Sequence, residues 1–98
     1  MKLQMSSLKF DADVKLLDFI QKRADKLDQF HDKIIDGEVN LRLNKDKEKK
    51  NKVIEMKLNI PGHTLFAKQQ AASFEAATDD AVEALRRQLR KVKSKIKA

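Results

Sequence analysis

The last quarter of the chain, residues 73–98, is predicted to form one long amphipathic helix, SFEAATDDAVEALRRQLRKVKSKIKA. Apolar residues recur in it at steps of three and four, which places them in one stripe of a helix with 3.6 residues per turn. The stripe consists of Phe74, Ala77, Ala81, Leu85, Leu89, Val92 and Ile96. A stripe of this kind must be covered by another layer of structure, so the rest of the chain has to supply that layer.

Charge is sorted along the same helix. The acidic residues lie in its first half: Glu75, Asp79, Asp80 and Glu83. Only basic residues follow: Arg86, Arg87, Arg90, Lys91, Lys93, Lys95 and Lys97. This order suits the helix dipole, which favours anions at the start and cations at the end.

The net charge of +7 comes entirely from this helix end. Residues 84–98 carry seven basic and no acidic residues, so the 22 basic and 15 acidic residues of the whole chain leave fifteen of each in residues 1–83. A localised excess of positive charge is what binding to a polyanion requires. The alternative for such a run is a solvated, lysine-rich helix end.

The remaining segments predict a strand, a helix and three further strands. They are a strand at 2–9 with a bulge or an end near residues 6–7, an amphipathic helix at 14–30, and strands at 38–44, 52–60 and 64–69. Asp13 and Ser73 are the expected N-caps of the two helices. Turns are expected at Asp36-Gly37 and Pro61-Gly62, and residues 45–52 form a charged connection.

The order β-α-β-β-β-α predicts a single α+β domain spanning residues 1–98. Short connections make the last three strands an antiparallel meander, and the first strand is expected to pair parallel with one of them. Each strand has one apolar face and each helix one apolar stripe. The expected architecture is therefore a two-layer sandwich, a four-stranded sheet with two helices on one face and water on the other.

Signals for an enzyme are weak. The two histidines, His31 and His63, lie at connections without metal-ligand spacing, and two glycines are too few for a phosphate-cradling loop. The chain has no cysteine, no apolar run near the ~18 residues of a membrane span, and no signal-peptide pattern at its start. We therefore expect a cytoplasmic binding protein with no cofactor, no metal, no membrane partner and no small-molecule substrate.

The basic residues of the last helix form two stripes that flank the apolar line: Arg86, Arg90, Lys93 and Lys97 on one side, and Arg87, Lys91 and Lys95 on the other. A smaller basic cluster on the first helix contains Lys22, Arg23 and Lys26, for which local pairing with Asp18 and Asp25 is the alternative. Among the aromatic residues only Phe66 is a candidate for stacking on a base. This pattern favours recognition of structured RNA through its shape and its phosphates.

Two segments, KLDQFHDKI at 26–34 and AATDDAVEALRRQLRKVKSKIK at 76–97, resemble the ribosome hibernation promoting factors and ribosome-associated translation inhibitors of bacteria. RQLRK is the most specific part. The resemblance implies a fold like that of a double-stranded RNA-binding domain with an added N-terminal strand. Because the chain stops after the basic helix, it is similar to the short form of the family.

The resemblance also implies a function. The chain would bind the small ribosomal subunit and its rRNA in the channel for messenger and transfer RNA, at the A and P sites. There it would block translation and preserve idle ribosomes in stationary phase, as part of a stress response. The family's rRNA contacts carry over to Lys26, Arg87, Lys91 and Lys93, and extend to Lys95 and Lys97.

The chain departs from the family at Ala84, where relatives often have lysine, and Arg86 and Arg90 are expected to compensate. With Arg23 of the smaller cluster, the candidate rRNA-binding residues are Arg23, Lys26, Arg86, Arg87, Arg90, Lys91, Lys93, Lys95 and Lys97.

Two other function classes stay open. One is a generic domain that binds structured RNA or DNA. The other is a protein-interaction domain that uses the open sheet face, including a modulator of an alternative sigma factor. The sequence also leaves open whether the chain acts on single ribosomes or on ribosome dimers, for which a second hibernation factor would be needed.

Overall fold

A computed structural model describes residues 1–8, 10–44 and 50–96, the last four of these (93–96) by their backbone alone. The elements follow the predicted β-α-β-β-β-α order. They are β1 (Leu3–Leu8), α1 (Val14–Asp25), β2 (Asp36–Leu43), β3 (Lys52–Ile60), β4 (His63–Ala71) and α2 (Phe74–Ile96). The predicted fold class is therefore confirmed.

The four strands form one mixed sheet in the order β1-β2-β3-β4. β1 pairs parallel with β2, and the other two neighbouring pairs are antiparallel. The predicted bulge or strand end near residues 6–7 is wrong, because the register runs without a break from Leu3↔Gly37 to Leu8↔Arg42. Leu8 breaks the apolar alternation because it points to the open face of the sheet, where 61% of it is exposed.

The hydrophobic core lies between the sheet and the two helices. The sheet contributes alternate residues of its strands, such as Leu41 of β2 and Met56 and Leu58 of β3, which are fully buried. The apolar stripe of α2 is buried from Phe74 to Leu89, as its spacing predicted. Each fully buried leucine or methionine side chain stabilises the fold by about 1.5–3 kcal/mol. The buried stripe therefore fixes how α2 lies on the sheet.

The first helix ends earlier than predicted. α1 stops at Asp25 and is followed by a 3₁₀ turn at Lys26–Gln29. Hydrogen bonds from the Phe30 and His31 amides to the Leu27 carbonyl, at 3.0 and 3.3 Å, close this tighter turn. Phe30 is the C-cap of this turn and no longer part of a helix. The spacing of the first helix predicts that Phe30 widens its apolar line, but Phe30 is 39% exposed, so this prediction is wrong.

Both predicted helix caps are present. The Asp13 carboxylate accepts a hydrogen bond from the Lys15 amide at 2.6 Å, and the Ser73 hydroxyl accepts one from the Ala76 amide at 3.1 Å. Each satisfies an amide that the helix leaves without an intrahelical partner. The caps fix where the two helices begin, at the same end of the sheet.

The two predicted turns have different outcomes. Pro61-Gly62 joins β3 to β4 with Gly62 at φ +79°, which fits a type II turn with proline before glycine. Gly37, however, lies inside β2, so the turn predicted at this position is wrong. Its small size serves packing, because an added Cβ would come within 2.7 Å of Leu3 Cδ2 and 3.0 Å of the Lys57 carbonyl oxygen.

Candidate RNA-binding surface

The two helices lie side by side and run in the same direction. Arg23 Nε of α1 is 3.1 Å from Asp79 Oδ1 of α2, and the Arg86 guanidinium lies 5.8 Å from the centre of the Phe30 ring. From the first contact to the second, each segment advances by seven residues, so the helices are parallel. Lys26, between these two contacts, is therefore level with the middle of α2, about one turn before the basic residues begin at Arg86.

The opposite side of α2 faces the sheet edge. Gln88 Nε2 donates a hydrogen bond to the backbone carbonyl of Phe66 in β4 at 2.9 Å. Ala84 and Lys91 lie one turn before and after Gln88 on the same face of the helix. The basic half of α2 therefore has an α1 side, marked by Arg86, and a β4 side, marked by Gln88 and Lys91.

On the α1 side, Arg86 is engaged within the molecule. Its Nε donates to Glu83 Oε2 at 3.0 Å, a second guanidinium nitrogen donates to Glu83 Oε1, and its plane lies over Phe30. The hydrogen bond from Arg86 lowers the pKa of Glu83, and the same contact raises the pKa of Arg86. Only 28% of the Arg86 side chain is exposed, so much of its hydrogen-bonding capacity is already used.

On the β4 side, the cations project into water. Arg87 is 70% exposed, and its contact with the chain is a long one, 3.5 Å from Nε to Glu83 Oε1. Lys91, one turn further on, is exposed, as is Arg90 on the outer surface of the helix. Ala84 adds no charge to this side, so Arg87 is its first cation in chain order.

The smaller basic cluster on the first helix also contains a cation with a partner inside the molecule and a cation that is exposed. Arg23 pairs with Asp79 of α2 and lies 4.8 Å from the centre of the Phe19 ring, so its ion pair joins the two helices. The alternative of local pairing for Arg23 is thus replaced by a contact between helices. Lys26, in the 3₁₀ turn, is exposed.

The structure thus separates the predicted site residues into two groups. Lys26, Arg87, Arg90 and Lys91 are exposed, whereas Arg23 and Arg86 are half-buried and have partners within the molecule. The side chains of Lys93 and Lys95, the whole of Lys97 and the charged connection at 45–49 lie outside the described residues.

Sequence reasoning missed the groups that make this division. The pairing of Glu83 with both arginines could have been read from its spacing of three and four residues. Asp79, Phe30 and Gln88 could not have been found in this way, because their partners lie on other elements.

The open face of the sheet is polar and carries mixed charges. Arg42 and Glu55 form an ion pair across β2 and β3, and Lys57 of β3 lies opposite Phe66 of β4. Phe66 is 51% exposed on this face. In the part of the chain that the structure describes, no helix has the length and apolar character needed to span a membrane.

The chain is similar to known proteins over almost its whole length. It is 32% identical over 94 residues to the ribosome hibernation promotion factor of Deinococcus radiodurans, a match that covers 94% of this chain and 49% of that protein. The chain thus spans about half the length of this curated relative.

Two solved structures share the fold. A ribosomal subunit interface protein from Coxiella burnetii has a TM-score of 0.86 at 23% identity, and the match covers 96% of this chain and 99% of that one. The N-terminal domain of Thermus thermophilus Protein Y has a TM-score of 0.83 at 24% identity, covering 94% and 99%. The family model described as Sigma 54 modulation protein / S30EA ribosomal protein matches residues 3–97, so the chain belongs to this family and the resemblance seen in its sequence is confirmed.

Proposed function

We propose that the chain binds the small ribosomal subunit in the channel for messenger and transfer RNA, at the A and P sites. By occupying these sites in the cytoplasm of resting cells, it blocks translation and preserves idle ribosomes. Proteins of this family are binding and regulatory proteins rather than enzymes, so the proposal includes no catalytic step. The name of the Deinococcus relative, a ribosome hibernation promotion factor, supports this function.

The observation that carries the proposal is the exposed basic end of the helical layer. Arg87, Arg90 and Lys91 project from a helix whose other side is buried in the core, and the exposed Lys26 lies about one turn before them in the neighbouring segment. Because residues 1–83 carry no net charge, this end is the positive pole of the molecule. A rigid arrangement of arginine forks and lysine charges suits the phosphates of folded RNA.

The positions of the phenylalanines favour recognition through phosphates rather than bases. Phe10 and Phe74 stack on each other with their ring centres 5.2 Å apart. Phe19 and Phe30 lie under the guanidinium groups of arginines. Of the five phenylalanines, Phe66 alone is left on the open sheet face, whereas proteins that bind single strands stack successive bases on several aromatic rings.

The mechanism would be competition for space. The two-layer domain would fill the channel, and the basic end would bind rRNA phosphates, so that messenger and transfer RNA could not enter. Each phosphate that the protein neutralises releases condensed counterions, so affinity should fall steeply as salt increases.

The test is binding of the purified chain to isolated small subunits, measured by pelleting, together with inhibition of translation in vitro. We expect inhibition at one protein per ribosome, and tighter binding to subunits than to a plain RNA duplex at the same salt concentration. Inhibition only at large excess, with equal affinity for both ligands, would instead indicate a generic binder of structured RNA.

The family's description also names modulation of sigma 54, which would require a protein partner. The surface left for such a partner is the open sheet face, where Arg42 and Glu55 already pair with each other. A variant with both residues replaced by alanine should retain subunit binding under the ribosome proposal. Loss of subunit binding would show that the subunit contacts this face.

The proposal concerns binding to one small subunit. Pairing of ribosomes into dimers would need a second hibernation factor. Sucrose-gradient profiles of stationary-phase ribosomes, from cells with and without the chain, distinguish an increase in dimers from an accumulation of idle single ribosomes.

A further inference from the structure

Glu83 lies between the predicted RNA-binding arginines. Its Oε2 accepts from Arg86 Nε at 3.0 Å, and its Oε1 is 3.5 Å from Arg87 Nε. We propose that the Glu83 carboxylate is an internal competitor for RNA phosphate, which occupies these arginines and makes binding weaker but more selective. This inference rests on the proposed function, since it concerns the same basic surface.

A carboxylate and a phosphate compete for the same donors. Each presents two oxygens that the fork of a guanidinium can bind through parallel hydrogen bonds. Glu83 takes this place on Arg86, where two guanidinium nitrogens donate to its two oxygens. A phosphate can use these donors of Arg86 only after Glu83 has moved away.

The two arginines do not hold the carboxylate equally. Arg86 is fixed by its two hydrogen bonds and by Phe30, whereas Arg87 is 70% exposed and only loosely in contact. A phosphate would therefore displace Glu83 from Arg87 and leave its contact with Arg86 in place. Arg87 would bind RNA, and Arg86 would keep the displaced carboxylate on the α1 side.

The competitor also lowers the local charge. Arg86 and Arg87 contribute +2, and Glu83 reduces this to +1. With this local charge of +1, an RNA that offers only a few scattered phosphates gains little binding free energy from Arg87. An rRNA site that places several phosphates against Arg87, Arg90 and Lys91 together gains enough to displace the carboxylate. Selectivity arises because the unfavourable element penalises the poorer ligand more than the better one.

The chain provides a matched control for this role. Glu75 lies exposed in the first turn of the same helix, eight residues before Glu83 and so about 12 Å away along the axis. Replacing either glutamate by glutamine removes one negative charge from α2 and keeps the size of the side chain. Only Glu83→Gln also frees the two arginines.

The experiment compares the wild-type chain, Glu83→Gln and Glu75→Gln in binding to a plain RNA duplex and to isolated small subunits at the same salt concentration. We expect Glu83→Gln to bind the duplex about threefold to fivefold more tightly than wild type, the upper part of the range that an exposed ion pair supplies. Glu75→Gln should change this affinity less than twofold. Because the subunit affinity should rise less than the duplex affinity, the preference of Glu83→Gln for subunits should fall.

Two results would overturn the inference. Equal gains in the two variants would show that net charge alone matters, and weaker duplex binding by Glu83→Gln would show that Glu83 positions the arginines instead of competing with RNA. Thermal unfolding confirms that both variants are folded. If the wild-type chain does not bind subunits, the proposed function fails, but the duplex measurements still decide the role of Glu83.

Discussion

The α1 side and the β4 side of α2 carry neighbouring arginines with different surroundings. Arg86, on the α1 side, donates to Glu83 and lies over Phe30, whereas Arg87 is mostly exposed. The two residues have the same chemistry and are adjacent in the sequence. The difference arises because successive residues on a helix point about 100° apart, so one faces the neighbouring helix and the other faces water.

This comparison shows that a run of basic residues contains cations of two kinds. Arg23 and Arg86 connect the two helices through an ion pair and a contact with an aromatic ring. Arg87, Arg90 and Lys91 are exposed and available for a ligand. The net charge counts paired and exposed cations together, whereas RNA binding should depend mainly on the exposed ones.

The largest effect should come from reversing charge on the β4 side. We expect Arg87→Glu with Lys91→Glu to weaken binding to small subunits on the order of a hundredfold or more, because two phosphate contacts become repulsive. Pelleting with small subunits measures the loss, and circular dichroism checks that the domain stays folded. Both residues are exposed, so the fold should not change.

The matched control reverses two lysines of the open sheet face, Lys57→Glu with Lys68→Glu, which changes the net charge by the same amount. Both lysines are exposed, and we expect a much smaller loss of binding. Equal losses in the two double variants would contradict the assignment of the basic helix end as the contact surface.

The next effect separates the two adjacent arginines. Arg87→Ala should weaken subunit binding about fivefold to tenfold, whereas Arg86→Ala should weaken it about twofold. In urea unfolding the order should reverse. Arg86→Ala loses a partly exposed ion pair and a contact with Phe30, so it should be mildly destabilising, and Arg87→Ala should be near neutral. Larger binding loss in Arg86→Ala would contradict the division into two sides.

A smaller effect should appear in the pH dependence of stability. The Arg86 hydrogen bond holds the folded-state pKa of Glu83 below its usual value. Its stabilising contribution is therefore present above the usual glutamate pKa and is lost as the pH falls through the lowered one. The melting temperature of wild type should exceed that of Glu83→Gln at pH 7, and the difference should shrink as the pH falls below the usual glutamate pKa. A difference that stays constant over this range would show that ionisation of Glu83 does not stabilise the fold.

The smallest effect should follow from removing the exposed aromatic ring. Phe66→Ala should change subunit binding less than about twofold, because a single ring on the open face does not make the succession of stacked bases seen in single-strand binders. Pelleting with small subunits provides the measurement. A loss as large as that of Arg87→Ala would instead place Phe66 in the contact surface and favour recognition of unpaired bases.

Local patterns in the sequence predict the elements and the layers. Alternation in the strands and steps of three and four in the helices predicted which faces are buried, from Met56 in β3 to Leu85 in α2. Asp13 and Ser73 predicted where the helices begin. These features depend on local periodicity and capping, which a single segment displays without its neighbours. The same holds for the concentration of positive charge in the last fifteen residues.

The tertiary structure decided which of those charges are available. Phe30, which follows the 3₁₀ turn after α1, lies under Arg86, and the parallel packing of the helices brings Asp79 to Arg23. Both contacts join residues more than fifty positions apart, so no local pattern could predict them. The physical reason is that exposure and pairing depend on what lies across an interface between elements. The sequence specified where the positive charge is concentrated, and the packing of α1 against α2 decided that Arg87, rather than Arg86, faces water.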